Sequence, residues 1–312
     1  MFPSVSLSSL TDNLVVIVTL ARGKCGLSKC VTHYLVGMAV ADFLVVVFDA
    51  ILWCTVPIYL PHSFLNITPV CSLVVTLGSA ATVVSVWLTV TFTADRFVAI
   101  CCEKLQTQFC TERNAAAFLG TVTILGTLES LPRYFIYDAH YLIDNIPWGC
   151  APKPSFFSSP AWATFEVLNY ILTPCAPFFL ILFNVLTVRQ ILASSRIRRG
   201  LYGQRNGEKH KDAEMENRRK SIALLFSISG SFVLLWVTQV VYNIYARITD
   251  IQYYSSYTDP HFITDHTAKM LQVLSSCTNT CIYVVVQAKF REELKNAITY
   301  PFKKGLWVQG VN

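Results

Sequence analysis

Two positions place charge where the surrounding sequence is apolar, and they are the first candidates for chemistry. Asp42 lies in the apolar stretch 34–59, and Asp95 is followed directly by Arg96 near the end of the stretch 71–100. A charged group in hydrocarbon costs at least a few kcal/mol unless it is paired, hydrated or neutralised. Asp42 therefore needs a partner, hydration or neutralisation, and Asp95 and Arg96 place two opposite charges side by side.

Residues for covalent or metal chemistry are not arranged for catalysis. The six histidines lie near loops or the ends of apolar stretches, without the spacing of metal ligands. The chain has neither the G-x-S-x-G motif of a nucleophilic serine nor a glycine-rich phosphate loop. We therefore expect no enzyme activity, and no bound metal other than the sodium ion considered below.

Composition identifies the elements that must position these residues. The chain is 53% hydrophobic and only 14% charged, with a mean hydropathy of +0.46, whereas an average soluble domain is roughly 25% charged. Disorder would need low hydrophobicity, and 312 residues with eleven cysteines do not fit a small disulfide scaffold. A helical membrane protein is left. Apolar stretches that reach or approach the ~20 residues of a membrane span lie at 34–59, 71–100, 115–131, 165–188, 221–245 and 262–286.

A seventh apolar stretch, 7–21, is short and carries Asp12 near its middle. Two interpretations stay open for it: an unusual or truncated first span, or a start site chosen wrongly upstream of Asn13. The predicted fold is all-α, a seven-transmembrane helix bundle over 7–288 with a short extracellular tail, 1–6, before it.

The end of the chain predicts a helix that lies on the membrane surface. Phe290, Leu294 and Ile298 recur every four residues between charged residues, which is typical of an amphipathic helix on the inner leaflet. We expect this eighth helix over 289–300 and a cytoplasmic tail over 301–312.

Lys and Arg are concentrated on one side of the predicted bundle. Of the 25 such residues, 21 lie in or next to the segments 22–33, 102–114, 189–220 and 288–312. Positive loops favour the cytoplasm, so seven spans place the N-terminus outside the cell in a multi-pass plasma-membrane protein. The net charge of +6 therefore reflects topology and contact with the anionic lipid bilayer. It does not indicate nucleic-acid binding.

Two cysteines and one asparagine belong to the outer surface. Cys71 precedes Arg96 by 25 residues, a rise of about 37 Å along a helix, and Cys150 lies in the second outer loop. Outer cysteines face an oxidising space, so we expect a Cys71–Cys150 disulfide; two unpaired cysteines are the alternative. Asn66-Ile67-Thr68 is an N-glycosylation sequon in an outer loop, so Asn66 is a candidate glycan site.

An outer cysteine followed by Asp95-Arg96-Phe97 in a seven-span chain resembles the rhodopsin-like (class A) G-protein-coupled receptors. Segments in the second, sixth and seventh spans also resemble that family: 39–42 (AVAD), 232–236 (FVLLW) and 279–283 (NTCIY). Thr238 and Thr280 stand where the family usually has prolines, and losing proline removes a source of helix kinks. The loop 144–150 (DNIPWGC) resembles a small orphan branch associated with aromatic amino acids and small peptides.

The resemblance implies a switch at the cytoplasmic end of the third helix. Arg96 would pair with Asp95 in the inactive state and turn toward a G protein and Tyr283 in the active state. Many relatives also lock this arginine to an acid at the start of the sixth helix, where this chain has Arg218. Because a like charge cannot form that lock, we expect a weaker inactive state and some basal activity.

The resemblance also implies a sodium site around Asp42. Ser85, Ser275 and Asn279 fall where the family gathers oxygens around a hydrated Na⁺. The alternative is a neutral, hydrogen-bonded Asp42.

The ligand pocket is predicted less directly. The third-helix acid of amine receptors is replaced by Gly78, and the retinal lysine of opsins by Val273, so ligands of those two types are not expected. An amino-acid ligand would need a cation, an acid and an apolar slot. Candidates near the outer ends of the spans are Gly78, Glu166, Trp236, Gln239, Asn243, Arg247, Asp265, Lys269 and Gln272. The alternative for each charged residue is pairing with a neighbour or extension toward water. Asp49, seven residues after Asp42, is a further acid that could face this cavity.

The predicted function is that of a receptor. An extracellular small ligand, an aromatic amino acid or short peptide, would shift a two-state bundle that activates a heterotrimeric G protein of the Gq type. A peptide or neuropeptide receptor of the same class is the first alternative. A membrane transporter or channel is the alternative outside the class.

Overall fold

The chain is almost entirely helical. The computed structural model describes residues 2–22, 25–201, 210–249 and 258–296. Its ten helices in these ranges are α1 (Phe2–Ala21), α2 (Lys29–Val45), α3 (Val56–Tyr59), α4 (Thr68–Cys101), α5 (Glu103–Phe109), α6 (Glu112–Ser130), α7 (Pro154–Ser158), α8 (Pro160–Leu201), α9 (His210–Ile248) and α10 (Pro260–Val286). A further helical segment covers 288–296 and so begins one residue before the expected eighth helix, 289–300; residues 297–312 lie outside the described residues.

Seven of these helices have 17 residues or more: α1, α2, α4, α6, α8, α9 and α10. Within the described ranges, five helical stretches are long and apolar enough to cross a membrane: 29–59, 68–101, 112–135, 175–193 and 222–246. The other two long helices are less apolar, because α1 offers only the shorter apolar stretch Ser6–Ala21 and α10 contains Asp265 and Lys269. The all-α membrane helix bundle predicted from composition is confirmed. Helix α1 begins at Phe2, five residues before the expected span.

Helix α4 lies at the centre of the bundle and packs against α2, α6, α8 and α9. A Cβ atom at Gly126 of α6 would lie 2.9 Å from a Val84 methyl of α4, so glycine permits the close approach of these two helices. Lipid tails are as apolar as leucine, and such helix contacts therefore stabilise the bundle by close packing more than by the hydrophobic effect.

Three side-chain clusters fill the described part of the bundle, and the two larger ones lie toward its two ends. The cytoplasmic one centres on the fully buried Tyr34, Phe92, Tyr283 and Phe290, and the last of these docks the segment 288–296. The second cluster, nearer the outer side, contains Trp236 stacked on Phe232 with ring centroids 4.9 Å apart. The bundle thus has one cluster near the predicted cytoplasmic switch and another near the predicted ligand pocket.

The second span changes its helical period midway. Helix α2 continues as a π-helix over Val46–Thr55 and then as α3, and the Val56 amide donates to the Ile51 carbonyl five residues back. Pro57, in the first turn of α3, cannot donate a backbone hydrogen bond. The wider turn rotates the residues that follow, and π-helical turns are frequent at functional sites.

A small hairpin covers the outer end of α4. Strands β2 (Tyr141–Ile143) and β3 (Ile146–Trp148) are antiparallel, while β1 (Tyr137–Asp138) pairs with β4 (Ala151–Pro152). Asp144 and Asn145 form the tight turn, both with positive φ, as two-residue hairpin turns require. A disulfide joins Cys71 to Cys150, and the Gly149 amide donates to the Asn66 carbonyl at 2.8 Å. The hairpin is thereby fixed over the bundle.

Helices α9 and α10 run without interruption through Thr238 and Thr280. Threonine keeps the backbone amide that proline lacks. Helices α9 and α10 are therefore unbroken at the two positions where threonine replaces the usual proline.

The predicted glycan site at Asn66 is buried in this structure. Its side chain is 8% exposed, and its amide nitrogen donates to the Leu60 carbonyl at 3.1 Å and the Pro61 carbonyl at 2.9 Å. A glycan on this nitrogen would remove one of these hydrogen bonds and would have no room.

We therefore expect Asn66 to carry no glycan in the mature protein. Digestion with an N-glycosidase should leave the electrophoretic mobility of receptor from mammalian cells unchanged. The Asn66→Gln variant should migrate with the wild type before digestion. A band shift on digestion that is absent from the variant would show that the site is occupied.

Candidate functional site

A cavity of about 370 Å³ lies near the outer end of the bundle. Its size lies at the lower end of the range for small-molecule pockets. The walls come from the second span, from helices α4, α8, α9 and α10, and from the segment that follows α6. The lining residues are Val45, Asp49, Trp53, Cys54, Val75, Ser79, Thr82, Val83, Arg133, Tyr137, Asn169, Trp236, Gln239, Asn243, Lys269, Gln272 and Val273. We call this space the outer cavity.

Five of the nine predicted pocket residues line the outer cavity: Trp236, Gln239, Asn243, Lys269 and Gln272. Gly78 lies behind the cavity wall, next to Asp49. Glu166 does not line it, and neither does Asp265, which is buried and accepts from Lys269 at 2.6 Å. This ion pair is the i,i+4 alternative considered for the two residues. The Arg247 side chain lies outside the part of the chain that the structure describes.

The structure adds a cation to the site that the sequence argument did not select. Arg133 follows α6, donates to the Asn169 side-chain oxygen at 2.7 Å and lies 5.6 Å from the centroid of the Phe165 ring. Its Nε is buried with no hydrogen-bond partner among the described residues. The sequence does contain a signal that indicates Arg133: few Lys or Arg residues lie on the outer side of the predicted bundle, and Arg133 is one of them.

Polar groups of the wall leave hydrogen-bonding capacity toward the outer cavity. Gln239 donates to Asn243 at 2.8 Å, and its own side-chain oxygen is buried without a partner among the described residues. Burial raises the pKa of the Tyr137 hydroxyl in the outer loop, so this hydroxyl is protonated at neutral pH and can donate. The outer cavity therefore offers a cation, an acceptor and a donor beside aromatic walls.

Asp42 lies deeper, where α2, α4 and α10 meet. Ser85 donates to one carboxylate oxygen at 2.5 Å and Asn279 to the other at 2.7 Å. Ser275 lines a cavity of about 10 Å³ beside the same carboxylate. The structure thus brings the four predicted sodium-site residues together. A cavity of this size holds about one water, so it is smaller than a fully hydrated ion needs.

Helix α1 is tied to this region by Asn13. Its fully buried side chain donates to the Ser276 carbonyl at 3.0 Å. The first helix is therefore linked by a buried hydrogen bond to the residue beside Ser275.

Arg96 pairs with its neighbour Asp95, to which its Nε donates at 3.0 Å, and its terminal nitrogen forms a salt bridge with the same oxygen. Arg96 is only 8% exposed and lies 6.0 Å from the centroid of the Phe92 ring. Phe97 packs against Phe183 of α8. The Arg218 side chain lies outside the described residues.

Two cysteine thiols also contact Asp95. The Cys30 sulfur lies 3.6 Å from a carboxylate oxygen, and the Cys110 sulfur lies 3.6 Å from the Asp95 carbonyl oxygen. Burial, and then the charge of Asp95, raise the pKa of Cys110 to about 11, so this thiol is neutral at pH 7 and donates. The sequence argument predicted neither of these contacts.

Tyr283 lies in the same cytoplasmic half, fully buried against Phe290. Its hydroxyl has no hydrogen-bond partner among the described residues, and the same holds for Tyr34. An unsatisfied buried hydroxyl costs about 1–3 kcal/mol. A rearrangement that gave either hydroxyl a partner would recover part of that cost.

The order of these three sites along the bundle is that of a transmembrane signalling receptor. Residues 12–283 match the family described as 7 transmembrane receptor (rhodopsin family). The chain belongs to this family. It is a receptor family and not an enzyme family, so the predicted class of G-protein-coupled receptor is confirmed, as is the multi-pass membrane location.

Two curated proteins of the same class are similar to the chain. Probable G-protein coupled receptor 142 of Mus musculus is 25% identical over 299 residues, which cover 90% of this chain and 69% of that protein. Sex peptide receptor of Drosophila melanogaster is 22% identical over 261 residues, which cover 74% of this chain and 56% of that protein. The chain thus spans about half to two thirds of the length of these two relatives.

Proposed function

We propose that this receptor binds an aromatic amino acid or a short peptide in the outer cavity and activates a heterotrimeric G protein of the Gq type. The observation that carries the ligand class is the outer cavity, where Arg133 lies among the aromatic side chains of Trp53, Tyr137 and Trp236. Arginine binds carboxylates through two parallel hydrogen bonds, and the rings suit an aromatic side chain.

Arg133 is suited to receive a carboxylate. Among the described residues, no carboxylate oxygen lies within 4.0 Å of its nitrogens. Its contact with Asn169 fixes the guanidinium without neutralising it. A ligand carboxylate would complete the charge pair.

A peptide ligand is the second candidate within the class. One of the two similar proteins is named as a sex peptide receptor, and a peptide would also present a carboxylate or backbone carbonyls to Arg133. The transporter or channel alternative is not favoured, because the space beside Asp42 narrows to about 10 Å³ within the described bundle.

We propose an extracellular N-terminus and a plasma-membrane location. The disulfide and the hairpin at one end of α4 support an outer surface there, and the basic segment 102–114 follows the opposite end of α4. The Arg96 switch and the like charge at Arg218 would then face the G protein, with ligand-free activity as the consequence.

The experiment is nucleotide exchange on purified G proteins by the full chain in lipid nanodiscs. Aromatic amino acids and short peptides are added singly, and Gq is compared with Gi and Gs. We expect exchange without ligand to exceed that of empty nanodiscs, and at least one aromatic amino acid or peptide to raise it further with Gq. Failure of every compound to change exchange on any of the three G proteins would contradict the proposed function.

We propose that Asp42 binds Na⁺ and thereby stabilises the inactive state. The Asp42 carboxylate, the Ser85 and Ser275 hydroxyls and the Asn279 carbonyl are the oxygen donors that would hold it, and such hard donors suit the ion. The small volume beside them favours an ion with at most about one water.

Replacing NaCl by N-methylglucamine chloride at constant ionic strength should raise ligand-free nucleotide exchange about fivefold, at the low end of typical allosteric couplings. Asp42→Asn removes the charge that would hold the ion and should abolish this difference. Equal exchange by the wild type in both salts would favour the neutral, hydrogen-bonded Asp42 instead.

A further inference from the structure

We infer that Asp49 binds a protonated amine of the ligand. This inference rests on the proposed function for the location of the ligand, and it extends that proposal to the chemistry of a second ligand group. It also revises the expectation, based on Gly78, that ligands of the amine-receptor type do not bind.

The first observation is the contact between Asp49 and Gly78. A Cβ atom at position 78 would collide with the Asp49 carboxylate. Because position 78 of α4 has no side chain, the Asp49 carboxylate of the second span occupies the space beside it. The carboxylate lies against the third-helix position where amine receptors carry their own acid.

The second observation concerns the hydrogen-bond and charge partners of the Asp49 carboxylate. Thr82 donates to Asp49 at 2.9 Å, and no nitrogen of a described Lys, Arg or His lies within 4.0 Å of the carboxylate. The nearby cation Lys269 is instead paired with Asp265 at 2.6 Å. An acid in low-dielectric surroundings with one neutral donor gains strongly from a cationic partner.

The third observation is the backbone that carries Asp49. It lies in the π-helical turn Val46–Thr55, which also supplies Trp53 and Cys54 to the outer cavity. The turn thereby places the acid and an aromatic ring on the same wall. A ligand with an ammonium group and an aromatic or apolar substituent could contact both the Asp49 carboxylate and the Trp53 ring.

Arg133 lines the same cavity and has no described acidic partner. The outer cavity is therefore lined by one acid, Asp49, and two cations, of which Lys269 is paired with Asp265, and neither cation forms a salt bridge with Asp49 among the described residues. This arrangement fits a ligand with an ammonium and a carboxylate group, such as an amino acid or a short peptide. The Asp49–Gly78 contact indicates where in the outer cavity the ammonium group of such a ligand would bind.

The test uses binding alone, so it does not depend on G-protein activation. The full chain in nanodiscs is titrated with tryptamine and phenethylamine, and with tryptophol and 2-phenylethanol, which carry a hydroxyl in place of the ammonium. Binding is measured as the ligand-dependent rise of the thermal denaturation midpoint. We expect both amines to bind the wild type at least about 30-fold more tightly than the matched alcohols, since an unpaired buried charge is costly.

Two variants and one control separate the ammonium contact from general damage. Asp49→Asn keeps an acceptor for Thr82 and should reduce amine affinity at least about 30-fold while leaving alcohol affinity unchanged. Gly78→Ala should weaken amine binding by displacing the carboxylate. Asp138→Asn, at an exposed acid of the outer loop, should bind both amines like the wild type.

The inference is overturned if the wild type binds neither amine, if the alcohols bind as tightly as the amines, or if Asp49→Asn keeps full amine affinity. A receptor that binds amines through Asp49 but activates no G protein would leave this inference intact. It would contradict only the proposed function.

Discussion

Replacing Arg96 by alanine should reduce ligand-stimulated nucleotide exchange at least tenfold while leaving ligand binding within about threefold of the wild type, as expected for a typical allosteric coupling. Arg96 is almost fully buried and is held by Asp95. If activation requires this cation to leave Asp95 and reach the G protein, alanine removes the contact while the outer cavity is unchanged. Exchange on purified Gq in nanodiscs and thermal-shift binding measure the two effects separately.

The matched control is Arg113→Ala, which removes a cation from the exposed cytoplasmic surface of α6. It should signal like the wild type. Asp95→Asn removes the charge that holds Arg96 and should raise ligand-free exchange. Wild-type exchange by Arg96→Ala would show that the switch lies elsewhere.

The contacts of Asp95 explain why its replacement should act on the inactive state. Besides Arg96, Asp95 is contacted by the Cys30 thiol from α2 and the Cys110 thiol from the loop before α6. The Asp95 carboxylate thus joins α2 to Arg96 of α4, whereas the loop before α6 contacts only the Asp95 backbone carbonyl. The resemblance to the receptor family implied the Asp95–Arg96 pair, but the cysteine contacts depend on how α2 and that loop pack.

The features that sequence predicted well are those set by local composition or by a regular helix. The apolar stretches predicted helices in the right order, and the helical rise from Cys71 to Arg96 placed the disulfide and the charge pair at opposite ends of α4. For the helices and the rise along α4, one helical period and a count along the chain are sufficient. The grouping of Asp42, Ser85 and Asn279 came instead from the resemblance to the receptor family, and the structure brings these residues together.

The outer cavity was predicted less completely because its walls depart from regular helices. Asp49 reaches Gly78 from a π-helical turn, and Arg133 lies in a short 3-10 segment, Leu131–Phe135. Counting along an ideal helix does not give the direction of either side chain. Pro57 is a sequence indication of irregular backbone, but it does not specify a π-helix.

The Gly78–Asp49 contact shows how a correct residue assignment led to an incomplete conclusion. Gly78 was identified as the position that lacks the usual acid, and amine ligands were therefore not expected. A glycine removes a side chain and also admits a neighbour. Which of the two effects decides the ligand chemistry depends on the adjacent helix, here the second span.

Removal of the Cys71–Cys150 disulfide should cause a large loss of the free energy of unfolding. The bond closes a loop with a sequence separation of 79 residues, and the chain-entropy relation gives about 4 kcal/mol for a loop of that length. The Cys71→Ala/Cys150→Ala double variant should therefore lower the thermal denaturation midpoint by roughly 5–10 °C. It should also weaken ligand binding, because Tyr137 of the outer cavity lies in the strand that pairs with β4, next to Cys150.

The measurement compares the double variant with the two single variants and with Cys175→Ala, which removes a free cysteine of α8. Cys175→Ala should unfold and bind like the wild type. The double variant is the cleaner test of the bond, because each single variant leaves a reactive thiol that can pair with another molecule. A midpoint within 1–2 °C of the wild type, together with unchanged binding, would mean that the hairpin is held by its hydrogen bonds to Asn66 and Thr68 and that the disulfide contributes little.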